Sequence, residues 1–115
     1  MRKALVVAIA LVAVAIPTAA TAQTASVKPY VVTINVINGR PVGGIEQPTV
    51  KKGRLVRFVV RTNVGTEVHL HGYDIEKTPR KGVPTVIQFV AKLTGRFDLE
   101  LHGPDAMLAR LKVTP

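Results

Sequence analysis

Two of the chain's three histidines, His69 and His71, stand one residue apart in the stretch EVHLHGYD, residues 67 to 74. On a strand, side chains at i and i+2 share a face and lie roughly 7 Å apart at Cα, so both imidazoles can reach one metal ion. His102 ends the run GRFDLELH, residues 95 to 102. Set beside the pair, it would complete a three-nitrogen donor set suited to copper or zinc. Alternation turns Val68 and Leu70 inward and Glu67, His69 and His71 outward. In the later run it turns Phe97, Leu99 and Leu101 inward and Asp98, Glu100 and His102 outward. Glu67, Glu100 or Asp74 then offers an oxygen ligand, or a carboxylate that orients an imidazole from behind. Three acids beside three histidines depart from random surface mixing in a chain with 16 lysines and arginines and 7 aspartates and glutamates. Spacing alone leaves open whether the two runs are neighbouring strands, and solvent-facing histidines that bind nothing are the plainer alternative.

Composition removes several other chemistries. The chain has no cysteine, which excludes thiol catalysis, thiolate-zinc sites and copper sites that need a thiolate. Ser26, the lone serine, lies in the N-terminal tail, so no serine–histidine–acid arrangement is visible. No glycine-rich loop follows a strand and opens a helix as a phosphate cradle would. The expectation is a binding protein and not an enzyme. Met107, the one methionine besides Met1, reads first as a core filler at a strand start and second as a ligand.

The residues that could do chemistry need a scaffold, and the first 22 residues are not part of it. Arg2 and Lys3 precede the apolar run ALVVAIALVAVAI, Pro17 breaks it, and TAATA follows. That is the pattern of a signal peptide cleaved after Ala22. The run is shorter than the roughly 20 residues of a spanning helix, an uncleaved anchor being the alternative. Export to the periplasm or the extracellular space is therefore expected. Residues 23–29 read as a flexible tail, and residues 30–115 as one domain.

Within that domain, YVVTINVI (30–37) and RLVRFVVR (54–61) alternate with the period of half-buried strands. Asn38-Gly39 supplies a turn and 40–48 a loop rich in glycine and proline. Further strands are expected at 67–71, 85–91, 95–101 and 107–113. No stretch of the domain carries a convincing helical apolar stripe. Six or seven short strands separated by turns argue for an all-β sandwich or Greek-key barrel.

Formal charge is +9, or +7 without Arg2 and Lys3. Lys51, Lys52, Arg54, Arg57 and Arg61 fall within eleven residues, and Lys77, Arg80 and Lys81 form a second group. Such a field favours a basic docking face for an anionic surface, whether membrane, cell-wall polymer or acidic partner. A solubilising charge coat is the alternative. Nucleic acid is not expected, because the chain is read as exported and its basic runs lack interleaved aromatics.

Nearly the whole domain resembles the cupredoxin-like family, most closely its small exported bacterial members. The resemblance rests on residues 31–61, on the H-x-H segment, and on G-x-F-x-L-x-L-H followed by M-x-x-x-L-x-V. It implies a cupredoxin-like Greek-key β-sandwich. In that family the late strand delivers the blue-copper cysteine; here Leu101 holds that place, and Pro104 stands where a ligand histidine is often found. Met107 falls where the family's methionine often lies. Blue-copper electron transfer is therefore not expected.

His69-Leu70-His71-Gly72 is also similar to the H-W-H-G segment of multicopper oxidases. Gly95 to His102 is similar to their G-x-F-x-Y-H-S-H, with Glu100 at the first histidine and His102 at the second. Their three-copper cluster needs two facing domains, and one is present here. The resemblance thus implies a surface copper site formed by His69, His71 and His102, for capture, storage or delivery of copper(II). Zinc is the competing ion, and a membrane or periplasmic copper-handling protein the expected partner. A metal-free interaction module that docks through the basic face is the alternative function.

Overall fold

The computed structural model describes residues 2–22 and 25–115. Met1, the first residue of the expected signal peptide, and Gln23 and Thr24, at the head of the expected tail, lie outside the described residues. Residues 2–22 form neither strand nor helix, and no helix is long and apolar enough to cross a membrane.

The described chain is all-β. Its strands are β1 (Tyr30–Ile37), β2 (Arg40–Pro41), β3 (Thr49–Lys51), β4 (Leu55–Arg61), β5 (Glu67–Leu70), β6 (Ile75–Lys77), β7 (Thr85–Val90), β8 (Gly95–His102) and β9 (Ala106–Thr114). They form two mixed sheets, one ordered β2-β1-β4-β7 and the other β3-β9-β8-β5-β6. The β1/β4 and β3/β9 pairs are parallel and the other pairs antiparallel.

The alternation visible in the sequence explains why both sheets form. Val32, Ile34 and Val36 of β1, and Val56, Phe58 and Val60 of β4, are buried, while the residues between them face outward or are half-buried. Val68, Leu70, Leu99 and Leu101 do the same for β5 and β8. All of these belong to one apolar cluster, so the two sheets stabilise each other. Burying each Val, Leu, Ile or Phe contributes about 1.5–3 kcal/mol. With no disulfide available, this burial and the strand pairing hold the domain.

Nine strands are present among the described residues, against six or seven expected. β2, β3 and β6 were not legible, because two or three residues cannot establish a period; β3 has a single buried side chain, Val50. The Asn38-Gly39 turn does form, with both residues at positive φ (51° and 72°) and Ile37 paired with Arg40. Such a two-residue hairpin matches the twist of its strands. Glycine is required there twice over, since a Cβ at Gly39 would meet the Pro104 ring at 2.7 Å.

One expectation needs correction. Alternation along 107–113 places Met107 inside with Leu111 and Val113. Across β8 and β9, however, Leu99 pairs with Ala109 while Glu100 pairs with Met107. This β-bulge leaves Leu108 as the extra residue of β9. Leu108 and Ala109 are consequently both buried, the parity of the strand reverses, and Met107 faces outward with Glu100.

Candidate metal centre

The two histidine-bearing runs are neighbours. β5 and β8 pair antiparallel, with Glu67 opposite His102 and His69 opposite Glu100. The ladder continues one residue past β5, where the His71 amide donates to the Asp98 carbonyl at 2.9 Å, and at the other end the Thr66 amide donates to the His102 carbonyl at 2.9 Å. Directly opposed residues share a face. The outer face of this strand pair is therefore a checkerboard in which each of the three histidines lies across from an acid.

Register brings the three imidazoles together. Ring centroids are 4.0 Å apart for His69 and His71, 5.7 Å for His69 and His102, and 6.2 Å for His71 and His102. One ring nitrogen from each lies within 4.8 Å of the others. An ion with Zn–N-like bonds of 2.0–2.1 Å needs its nitrogens within about 4.1 Å of one another. In a tetrahedral site those bonds put the nitrogens about 3.4 Å apart, so the set closes by up to about 1.5 Å through side-chain rotation.

Glu100 is the acid closest to these rings. Its Oε2 lies 3.1 Å from Nε2 of His71 and 3.8 Å from Nε2 of His102. The shorter contact is a hydrogen bond, and since a carboxylate only accepts, His71 donates from Nε2 and keeps Nδ1 as its lone-pair nitrogen when neutral. A carboxylate behind a ligating imidazole is the arrangement that fixes ring orientation in metal sites. His102 differs, because its Nε2 is a buried nitrogen with no hydrogen-bond partner. A buried polar atom left unpaired costs about 1–3 kcal/mol. An ion bound through Nε2 of His102 would supply the partner that nitrogen lacks.

The end of the site is held by a turn. Gly72 follows His71 at φ +85°, and a Cβ there would meet the Phe97 ring at 2.5 Å. Only glycine lets the chain leave β5 over that ring. Tyr73 packs against Phe89 and Phe97, both at 4.7 Å between centroids. Its hydroxyl donates to the Leu93 carbonyl at 3.0 Å and accepts from the Leu93 amide at 3.1 Å. The turn that positions His71 is thereby fastened to the loop after β7.

Other expected site residues are placed less uniformly. Glu67 lies beside His69 in a second donor group. Asp74 sits exposed in the turn at φ 53° and belongs to neither group of converging donors. Met107 is half-buried on the outer face opposite Glu100. Asp98 pairs with Arg110 at 3.6 Å. The five basic residues do not form one face. Lys51 belongs to β3 in the five-stranded sheet, and Lys52 and Arg54 lie in the connection to β4. Arg57 and Arg61 alternate with the buried residues of β4 in the other sheet, where Arg57 donates to the Gln88 side chain at 2.7 Å. Adjacency in sequence spread them over two sheets.

Sequence reasoning missed Glu76. It lies on β6 opposite His69, with its Oε1 3.6 Å from His69 Nε2. The signal was the turn chemistry of Gly72 and Asp74, both at positive φ. A hairpin closing on Leu70 and Ile75 necessarily sets residue 76 across from residue 69.

No protein-family model matches the chain, and a comparison with curated proteins gives no match. Among solved structures, the chain is similar to a copper binding protein in its apo form, at 17% identity over 73% of this chain and 86% of that one, with a TM-score of 0.56. It is also similar to the metal binding domain of the Cu(I)-exporting P-type ATPase CopA of Streptococcus pneumoniae D39, determined with Cu(I). There the identity is 16% over 76% of this chain and 99% of that one, with a TM-score of 0.50. At such identities the likeness is one of fold.

Proposed function

We propose that the chain is an exported, cupredoxin-like Greek-key sandwich that binds copper(II) through His69, His71 and His102. The observation that carries this reading is the convergence of one imidazole nitrogen from each of His69, His71 and His102 within 4.8 Å. The fold it shares with an apo copper binding protein and with a Cu(I)-exporting ATPase's metal binding domain supports copper as the ion. Without a thiolate the site does not do blue-copper electron transfer. The role is capture, storage or delivery and not catalysis, with the ion as cargo and a membrane or periplasmic copper-handling protein as donor or recipient. Neutral imidazoles supply the lone pairs, and Glu100 orients His71 and offsets the ion's charge.

Copper(II) titration by calorimetry and electron paramagnetic resonance tests this. One equivalent with nitrogen hyperfine structure, lost in His69→Ala/His102→Ala, is the expected result. An unchanged titration in that variant would refute it.

A second reading, docking through a basic face, draws on a different observation. The strands of the four-stranded sheet carry Arg40, Arg57 and Arg61 and no acid. Charge reversal at Arg57 and Arg61 should abolish binding to anionic vesicles if that reading holds, with histidine substitutions inert.

A further inference from the structure

The acids around the histidines are not neutralised by the chain's abundant bases. Among the described residues, Asp98 has an arginine partner, whereas Glu67, Glu76 and Glu100 pair with no lysine or arginine, and the ion-pair contacts of Glu76 and Glu100 are to imidazoles. Carboxylates grouped on one patch of sheet in a chain with 16 lysines and arginines make the local potential negative and favour a cation there.

Glu100 belongs to the three-histidine set already described. Glu67 and Glu76 lie on the other side of His69. Glu67 is two residues before it on β5, and Glu76 is its cross-strand partner on β6. One donor atom from each of Glu67, His69 and Glu76 lies within 4.8 Å of the others. His69 is the least exposed of the three histidines, its side chain 16% accessible against 43% for His71 and 39% for His102. It stands between an imidazole neighbour on one side and a carboxylate neighbour on the other. Its Nε2 is 3.6 Å from Glu76 Oε1, too long for a hydrogen bond. Neither group is satisfied by the other.

We propose that Glu67, His69 and Glu76 form a second, oxygen-rich cation site for a borderline divalent ion such as zinc(II), and that it competes with the three-histidine set for the imidazole of His69. One nitrogen and two carboxylate oxygens, with an open position toward solvent, is a donor set that zinc accepts. Three imidazoles favour copper(II), which binds nitrogen donors more tightly than zinc does. Because the two sets share a ligand, a copper ion held by the three imidazoles removes His69 from the oxygen-rich site. Competition between the ions rests on the copper reading above; the oxygen-rich site itself does not.

Zinc(II) and copper(II) are titrated separately by calorimetry into the wild-type protein, into Glu76→Gln, into His71→Ala/His102→Ala, and into the two combined, with thermal unfolding confirming that each variant folds. The double histidine variant should retain one zinc, since it keeps all three donors of the oxygen-rich set. Adding Glu76→Gln to that variant should weaken its zinc by at least about tenfold, the loss of one of three ligands, and Glu76→Gln alone should leave copper unchanged. Copper-loaded wild type should take up no zinc at this site. Zinc affinity of the double histidine variant that ignores Glu76→Gln, or zinc binding that disappears in that variant, would overturn the proposal. Failure of wild type to bind copper would sink the copper reading alone, because zinc on the double histidine variant is measured without the three-histidine set.

Discussion

Two patches of outer face, one on β5, β6 and β8 and one on β4 and β7, are built on the same buried core and differ in chemistry. On β5, β6 and β8 the outward positions hold Glu67, His69, Glu76, Arg96, Asp98, Glu100 and His102. On β4 and β7 they hold Arg57, Val59, Arg61, Val86, Gln88 and Val90. The difference shows that charge segregation here is a property of topology and not of local sequence. Acids at positions 67, 76 and 100 converge because β5 sits between β6 and β8. The basic run 51–61 disperses because β3 and β4 enter different sheets. Nearness along the chain misleads in the second case and hides the first.

The most severe way to break the comparison is to remove the core that both faces share. Phe58 is fully buried and stacks with Phe89 at 6.1 Å; Phe58→Ala should cost about 3–5 kcal/mol in denaturant unfolding, and copper binding should fail together with the fold. Next comes the metal face alone. His71→Ala/His102→Ala should weaken copper(II) by at least about a hundredfold while leaving the unfolding midpoint near wild type, since both rings are partly exposed. Gly72→Ala should cost about 2 kcal/mol, the sum of a positive-φ strain and a clash with Phe97, and should loosen copper by displacing His71. Lowering pH should weaken copper progressively, because protons compete for imidazole lone pairs. Affinity held constant down to pH 5 would argue against histidine ligation. The smallest effect on metal is expected from Arg57→Glu/Arg61→Glu, which should leave copper affinity unchanged and register only in binding to anionic vesicles.

The sequence made the scaffold legible where a strand was long enough to show its period. β1, β4, β7 and β8 could be read to within a residue or so at each end because apolar β-branched and aromatic residues alternate over six or more positions. The face of each histidine followed from the same parity. Three things could not be read that way. The adjacency of β5 and β8 is a long-range pairing that no local pattern encodes. Glu76 sits on a three-residue strand whose place is set by a hairpin turn. Met107 faces outward because of a bulge at Leu108, and a single extra residue reverses every inference from parity beyond it.

The face bearing His69, His71 and His102 is proposed to hold copper. Electron paramagnetic resonance of the protein with one equivalent of copper(II), alongside His69→Ala/His102→Ala, tests it most directly. A single stoichiometric species with nitrogen superhyperfine splitting that disappears in the variant is expected. Unbound copper in both proteins, or the same spectrum in both, would contradict it.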